Sequence, residues 1–205
     1  MTLNNCTIIG ITGGIASGKS TLTNMLRKKG YIVIDADSIS RDVTKIGKPS
    51  YYEIIEHFGY EILLEDKSID RKLLGKLIFE NLQLREELNG IVHSRVFEEL
   101  QLLINKYCND NEIIFIDIPL LFETIEVAKS FGLIFDEIWV VYVDNDIQLK
   151  RLMSRDDITK EEALLKIKSQ MSLDEKAKIA NRVLYNNGKL NELENDLEQI
   201  LSKLR

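Results

Sequence analysis

Two prolines, two cysteines, two histidines and one tryptophan in 205 residues leave no material for several common kinds of protein. Pro49 and Pro119 are too few for a proline-rich linker or recognition segment. Cys6 and Cys108 lie far apart, form no CxxC pair and share no ligand spacing with His57 or His93, which argues against a zinc site. The expectation for the cysteines is two reduced, mostly buried thiols. No apolar run reaches the roughly 18 residues of a membrane span. The opening Met1-Thr2-Leu3-Asn4-Asn5-Cys6 has no basic region, and the short apolar run after it is broken by glycine. It does not read as a signal peptide, and the expected address is the cytoplasm. Positive charge is also scarce: 27 Lys and Arg against 33 Asp and Glu give a net charge of −6. Such a chain is poorly suited to general nucleic-acid or anionic-membrane binding, although a few local cations suffice for a phosphorylated small molecule.

What is present suits a soluble globular protein, with 44% hydrophobic and 29% charged residues. Residues 6–11 form a short β-branched run, followed by a glycine-rich turn and then 20–29 with helical spacing at Leu22, Met25 and Leu26. Strand, glycine loop and helix make the first unit of an α/β domain. Further strands are predicted at 31–34, 112–116, 137–143 and 182–185, and three of these runs are followed directly by Asp35, Asp117 and Asp144, or end on them. The runs are apolar throughout rather than alternating, which favours a parallel sheet covered on both faces. Ligands of such sheets sit beyond the carboxyl ends of the strands, where these aspartates collect.

The interval between the second and third strands reads as helices over 51–58, 71–79 and 84–107, too long for a plain crossover. Helices are also expected at 146–153 and 159–172, joined by a turn at 154–157, with Thr159 and Glu162 as a capping box. A last amphipathic helix carries Leu190, Leu193, Leu197, Ile200, Leu201 and Leu204 on one face. The fold class is therefore α/β with a five-stranded parallel sheet, and the glycine-rich turn 13–20 with its GxxxxGK[ST] spacing makes it a three-layer P-loop architecture. Its core comprises about 1–44, 108–145 and 180–205. A helical acceptor-binding insertion spans about 45–107 and a helical lid about 146–179.

Gly13-Gly14-Ile15-Ala16-Ser17-Gly18-Lys19-Ser20 matches GxxxxGK[ST], with Thr21 next in the opening helix. Gly13 and Gly18 let the backbone turn with amides pointing at a phosphate. The helix start adds its positive dipole end, Lys19 reaches the outer phosphates of ATP, and the Ser20 hydroxyl is a Mg²⁺ ligand. Asp117, closing an apolar run, resembles the aspartate that faces the magnesium shell in such proteins, the alternative being a structural bond to the P-loop. Asp35 and Asp37 flank Ala36 at a turn where a carboxylate can accept the proton of an attacking hydroxyl. Arg151 and Arg155, four apart, share a helix face or its end, and their guanidinium forks suit phosphate oxygens when a closing lid delivers them.

In this order the motifs resemble the dephospho-CoA kinase family almost end to end. The resemblance rests on Thr12 through Ser20, on Asp35-Ala36-Asp37 with Arg41, on Asp70-Arg71 through Leu74 to Ile78-Phe79, and on His93. Pro119-Leu120-Leu121-Phe122-Glu123, Arg151-Leu152, Arg155-Asp156, Gln170 and Asn186-Asn187-Gly188 complete it. It implies transfer of the ATP γ-phosphate to the ribose 3′-hydroxyl of dephospho-CoA, with Mg²⁺. By resemblance Asp37 orients or deprotonates the hydroxyl, Asp35 supports it, Arg71, His93 and Leu120 face the acceptor, and Arg151 or Arg155 covers the phosphates. Three positions depart from the family: Ala16 and Ser94 stand where glycine and proline are usual, and Asn181 where aspartate is common. An alanine at position 16 is expected to keep φ negative.

A nucleoside or nucleoside monophosphate kinase would share the P-loop and lid; the DAD and PLLFE segments favour the CoA precursor. A small GTPase would carry a guanine-reading NKxD after a strand, and the chain has none. The remaining expectations are a small-molecule acceptor, no nucleic acid, no membrane and a monomer.

Overall fold

The computed structural model describes residues 6–204; residues 1–5, the opening weighed above as a signal peptide, lie outside the described residues, as does Arg205. By their own internal contacts the chain's residues form two compact units, divided at Ile34/Asp35 and Ile104/Asn105.

The first unit begins with β1 (Thr7–Gly13), the phosphate loop and α1 (Lys19–Lys28), followed by β2 (Ile32–Asp35). The second contains α2 (Ala36–Val43), α3 (Pro49–Phe58), a 3₁₀ turn at Tyr60–Ile62, α4 (Arg71–Glu80) and most of α5 (Leu82–Tyr107). The chain returns through β3 (Ile113–Asp117), α6 (Leu121–Ser130), β4 (Glu137–Tyr142), α7 (Asn145–Asp156), α8 (Lys160–Lys168), α9 (Leu173–Ile179), β5 (Arg182–Tyr185) and α10 (Leu190–Leu201).

The five strands form one sheet in the order β2-β3-β1-β4-β5. β1 lies parallel to β3, with Ile11 opposite Asp117, and parallel to β4, with Gly13 opposite Val141. β4 and β5 are parallel as well. This is the expected five-stranded parallel sheet. The continuous apolar runs have the cause inferred for them: Ile9, Ile11, Phe115, Trp139, Val141 and Leu184 are buried with Leu22 and Leu26 of α1 and Leu193 and Leu197 of α10. On the other face, Val140, Val143 and Leu173 form a second cluster with Phe122 and Ile147. β1 is central, and the chain leaves it in both directions, so its carboxyl end, at Gly13, is the position where parallel sheets bind ligands. The helical unit has its own core of Tyr51, Ile54, Ile55, Ile62, Ile69 and Leu74. Among the described residues no helix is long and apolar enough to cross a membrane.

Several local expectations change. The Asp35-Ala36-Asp37 turn is a helix start: Asp35 ends β2 and its side chain accepts from the Ser38 amide at 3.0 Å, capping α2. The turn foreseen at 154–157 is helical up to Asp156, and Asp157 closes α7 in the left-handed region with φ 53°. The segment 159–172 is not one helix. The Thr159–Glu162 capping box opens α8 as expected, but a second box, Ser172–Glu175, opens α9 separately. α6, directly after the proline segment, was not anticipated.

The cysteines are also corrected. Cys6 and Cys108 are joined in a disulfide with their Cα atoms 5.3 Å apart, not held as separate thiols. Their distance in sequence hid a simple adjacency. Cys6 directly precedes β1, Cys108 stands on the approach to β3, and Thr7 pairs with Ile113 in the sheet.

Candidate active site

The phosphate loop leaves β1 at Gly13 and enters α1 at Lys19. Gly18 caps the helix in the left-handed region, φ 91°, and a Cβ there would run into the Asn186 side-chain amide. Only glycine satisfies both constraints. α1 has no side-chain cap and no acidic residue in its first turn, so its leading amides are open to an anion. Ala16 also adopts a positive φ, 58°, against the expectation of a negative one. The loop's path outweighs an L-residue's penalty of roughly 1–2 kcal/mol there.

Three elements hold the loop from outside. Asn186, after β5, is buried and donates from Nδ2 to the Ser17 carbonyl at 2.8 Å. Gln148 of α7, also buried, donates from Nε2 to the Ile15 carbonyl at 2.8 Å, and Gln170 between α8 and α9 accepts from the Ile15 amide at 2.9 Å. A Cβ on Gly14 would stand 2.7 Å from Gln148 Nε2, which explains that glycine too. Both backbone groups of Ile15 are thus engaged by the α7–α9 segment.

Lys19 pairs with Asp117 at the end of β3, and both side chains are largely buried. The bond of Asp117 to the P-loop, one of the two roles considered for it, is therefore present. The loop residues Gly13 through Ser20 line a cleft of about 430 Å³ together with Pro119, Arg151, Arg155 and Gln170. So the sequence-predicted loop and both arginines share one cleft. The arginines are not equivalent. Arg155 is tied to Asp156, Nε to Oδ1 at 2.8 Å. Hydrogen bonds from Arg155 and then Lys166 hold the Asp156 carboxyl down at about 2. Arg151 has an Nη1 only 3.9 Å from where a Gly18 Cβ would be, against the loop itself.

Within the helical unit, Arg71 and His93 come together on a cavity of about 190 Å³ that Ser40, Thr44 and Asn89 also line. Arg71 donates to Thr44 Oγ1 at 2.6 Å and borders a second cavity, about 500 Å³, with Arg41 and Lys45. Burial pushes the His93 imidazole below its ordinary pKa of 6.5. Asp37 is exposed in the first turn of α2 and lines neither cavity. Leu120 is half-exposed before α6, where its carbonyl accepts from the Thr124 amide at 3.0 Å. Ser94 lets α5 pass unbroken, its hydroxyl donating to the Ile91 carbonyl at 3.3 Å. Asn181 does structural work at the sheet edge, its Oδ1 accepting from the Ile138 amide at 2.7 Å.

Sequence reasoning assigned no role to Gln148, Asn186, Glu123 or Lys176. Glu123 and Asn186 lay inside quoted motifs. Gln148 and Lys176 gave one signal, a polar residue on the apolar side of a helix.

The donor set suits magnesium. Among the described residues no three His, Cys, Asp or Glu side chains cluster as a metal cage. The chain offers the exposed Ser20 hydroxyl and the Asp117 carboxylate, the sparse set expected for an ion that shares its coordination with substrate phosphates and water.

The comparisons with known proteins agree along the chain. The sequence model of the family described as Dephospho-CoA kinase matches residues 7–192. The dephospho-CoA kinase of Carboxydothermus hydrogenoformans is 47% identical over 199 residues, 97% of this chain and 93% of that protein. A solved structure from Thermus thermophilus superposes with a TM-score of 0.82 at 32% identity, covering 98% of each chain. The dephospho-CoA kinase from Campylobacter jejuni gives 0.71 at 25% identity over 96% of each. With the phosphate loop, the paired lysine and the arginine-lined cleft all in place along the matched length, this chain belongs to the dephospho-CoA kinase family.

Proposed function

We propose that the protein transfers the γ-phosphate of ATP to the ribose 3′-hydroxyl of dephospho-CoA, giving CoA and ADP. The observation that carries this is the cleft in which the loop amides, Lys19, Arg151 and Arg155 converge, in a chain whose family is defined by that acceptor. Phosphoryl transfer needs positioning and charge neutralisation more than covalent chemistry. The amides of residues 13–21 bind the phosphate oxygens, Lys19 leaves Asp117 for the outer phosphates, and Arg151 approaches from α7. Ser20 and Asp117 would hold Mg²⁺, which supplies further neutralisation of phosphate charge when bound. Asp37 accepts the proton of the attacking hydroxyl, with Asp35 fixing the start of α2 beneath it. Arg71 and His93 contact the acceptor, as does Leu120. Segment 146–179 acts as a lid that excludes water, so that ATP is not hydrolysed. The enzyme works as a cytoplasmic monomer, where ATP is available.

A coupled ADP-release assay tests this with ATP, Mg²⁺ and either dephospho-CoA or a panel of nucleosides and nucleoside monophosphates. The expected result is turnover on dephospho-CoA with CoA as product. Turnover only on another acceptor would overturn the assignment while keeping the kinase. Asp37→Asn should retain ATP binding and lower kcat on the order of 10²-fold. Lys19→Ala should lower kcat by about as much again.

A further inference from the structure

Lys176 is a lysine with no exposed side-chain surface, on the short helix that ends the lid segment. Lysine is almost never fully buried unless it is paired. Its Nζ lies 2.9 Å from Glu123 Oε1 and 3.5 Å from the carbonyl oxygens of both Gly13 and Pro119. Gly13 is the residue where β1 becomes the phosphate loop. Pro119 lies two residues beyond Asp117, lines the phosphate cleft, and accepts at its carbonyl from Thr12 Oγ1 at 2.8 Å. Glu123 Oε1 in turn accepts from the Met171 amide at 3.0 Å, directly beside Gln170, which holds the Ile15 amide. One buried ammonium therefore ties together the start of the loop, the segment after β3 and the chain returning from the lid.

We propose that Lys176, with Glu123, is a positioning pair for phosphate binding: it fixes the Gly13 and Pro119 carbonyls that frame the loop and couples them to the returning limb of the lid. It does not touch the reacting atoms in this arrangement. An alkyl side chain of the same length would fill the space but leave the two carbonyls without their cation. The loop amides would then no longer be held where the phosphates need them.

The inference rests on the phosphate-loop reading and is independent of which acceptor is used. Its test therefore measures ATP–Mg²⁺ binding by titration without acceptor, beside kcat and KM for ATP and denaturant unfolding. Lys176→Met leaves a carboxylate without its partner and should lose both stability and ATP affinity. The double variant Lys176→Met/Glu123→Met replaces the ion pair with apolar side chains of similar volume, a change that is commonly neutral for stability. The expected result is that the double variant regains wild-type stability while its ATP dissociation constant and KM for ATP remain raised on the order of 10-fold or more, the loss of a charge-assisted hold on the loop carbonyls. Recovery of stability and ATP affinity together would reduce the pair to a structural contact and overturn the proposal. Failure of the double variant to fold would also overturn it, because the pair would then be a requirement of the fold rather than of the loop.

Discussion

At Ala16 an L-residue holds a backbone conformation, φ 58°, that glycine adopts without cost. Ala16→Gly removes a penalty of roughly 1–2 kcal/mol and adds unfolded-chain entropy of about 0.5–1 kcal/mol. A net gain of about 0.5–1 kcal/mol should appear in urea unfolding, with KM for ATP unchanged because the path of the loop is the same. His93 makes the opposite kind of prediction. Burial lowers its pKa in the folded protein below the ordinary 6.5, so the unfolded chain binds the proton first as pH falls. Its contribution to stability is complete above about pH 6.5 and is lost as pH drops through the ordinary histidine range toward the folded value. His93→Gln should flatten the stability profile between pH 7 and pH 5. A slope unchanged by that substitution would assign the acid sensitivity elsewhere. Asp156 carries the third residue-scale argument. It holds Arg155 by an exposed ion pair, so Asp156→Asn should barely alter stability. If Arg155 must swing to the phosphates during turnover, the same variant should lower KM for ATP, and an unchanged KM would leave that role to Arg151.

At the scale of elements, the phosphate loop is held less by its own sequence than by what packs against it. α7 supplies Gln148, the α8–α9 connection Gln170, and the turn after β5 Asn186. Asn186→Leu removes the donor for the buried Ser17 carbonyl, a loss of about 1–3 kcal/mol. It should raise KM for ATP more than it lowers kcat, measured by initial rates across ATP concentration. The strands and the loop were legible because their signals are local: β-branched apolar runs, and a glycine spacing that few other structures require. The clamps were not legible, because Gln148 and Ile15 are 133 residues apart and meet only once β1 and β4 pair. The DAD segment shows the intermediate case. Its position at the end of β2 was legible, but the choice between turn and helix depends on one hydrogen bond from the Ser38 amide to the Asp35 carboxylate, which two aspartates around an alanine do not reveal. The 159–172 segment failed for a related reason. Its helical pattern continues through Gln170, whose side chain is committed to the loop while Ser172 caps a new helix.

For the whole molecule, the Cys6–Cys108 bond closes a span of 102 residues that contains β1, the phosphate loop, α1, β2 and the helical unit. Cross-linking a loop of that length restricts the unfolded chain by up to about 4.7 kcal/mol in the chain-entropy description, with 2–4 kcal/mol typical of measured bonds. For a chain of this size each kcal/mol corresponds to about 2–4 °C in Tm. Oxidised protein should therefore melt on the order of 5–15 °C above the same protein in reductant, and Cys6→Ser/Cys108→Ser should match the reduced form in either buffer. Activity should behave differently. Cys6 immediately precedes β1, whereas the proposed phosphate site lies beyond its carboxyl end at Gly13, seven strand residues or about 23 Å away at 3.3 Å per residue. Kinetic constants at 25 °C should thus be the same with and without reductant, so long as the chain stays folded. A thiol titration of denatured, unreduced protein fixes the starting point: no free thiols are expected. If both thiols titrate, the pair is reduced in solution, and the two melting curves should then coincide.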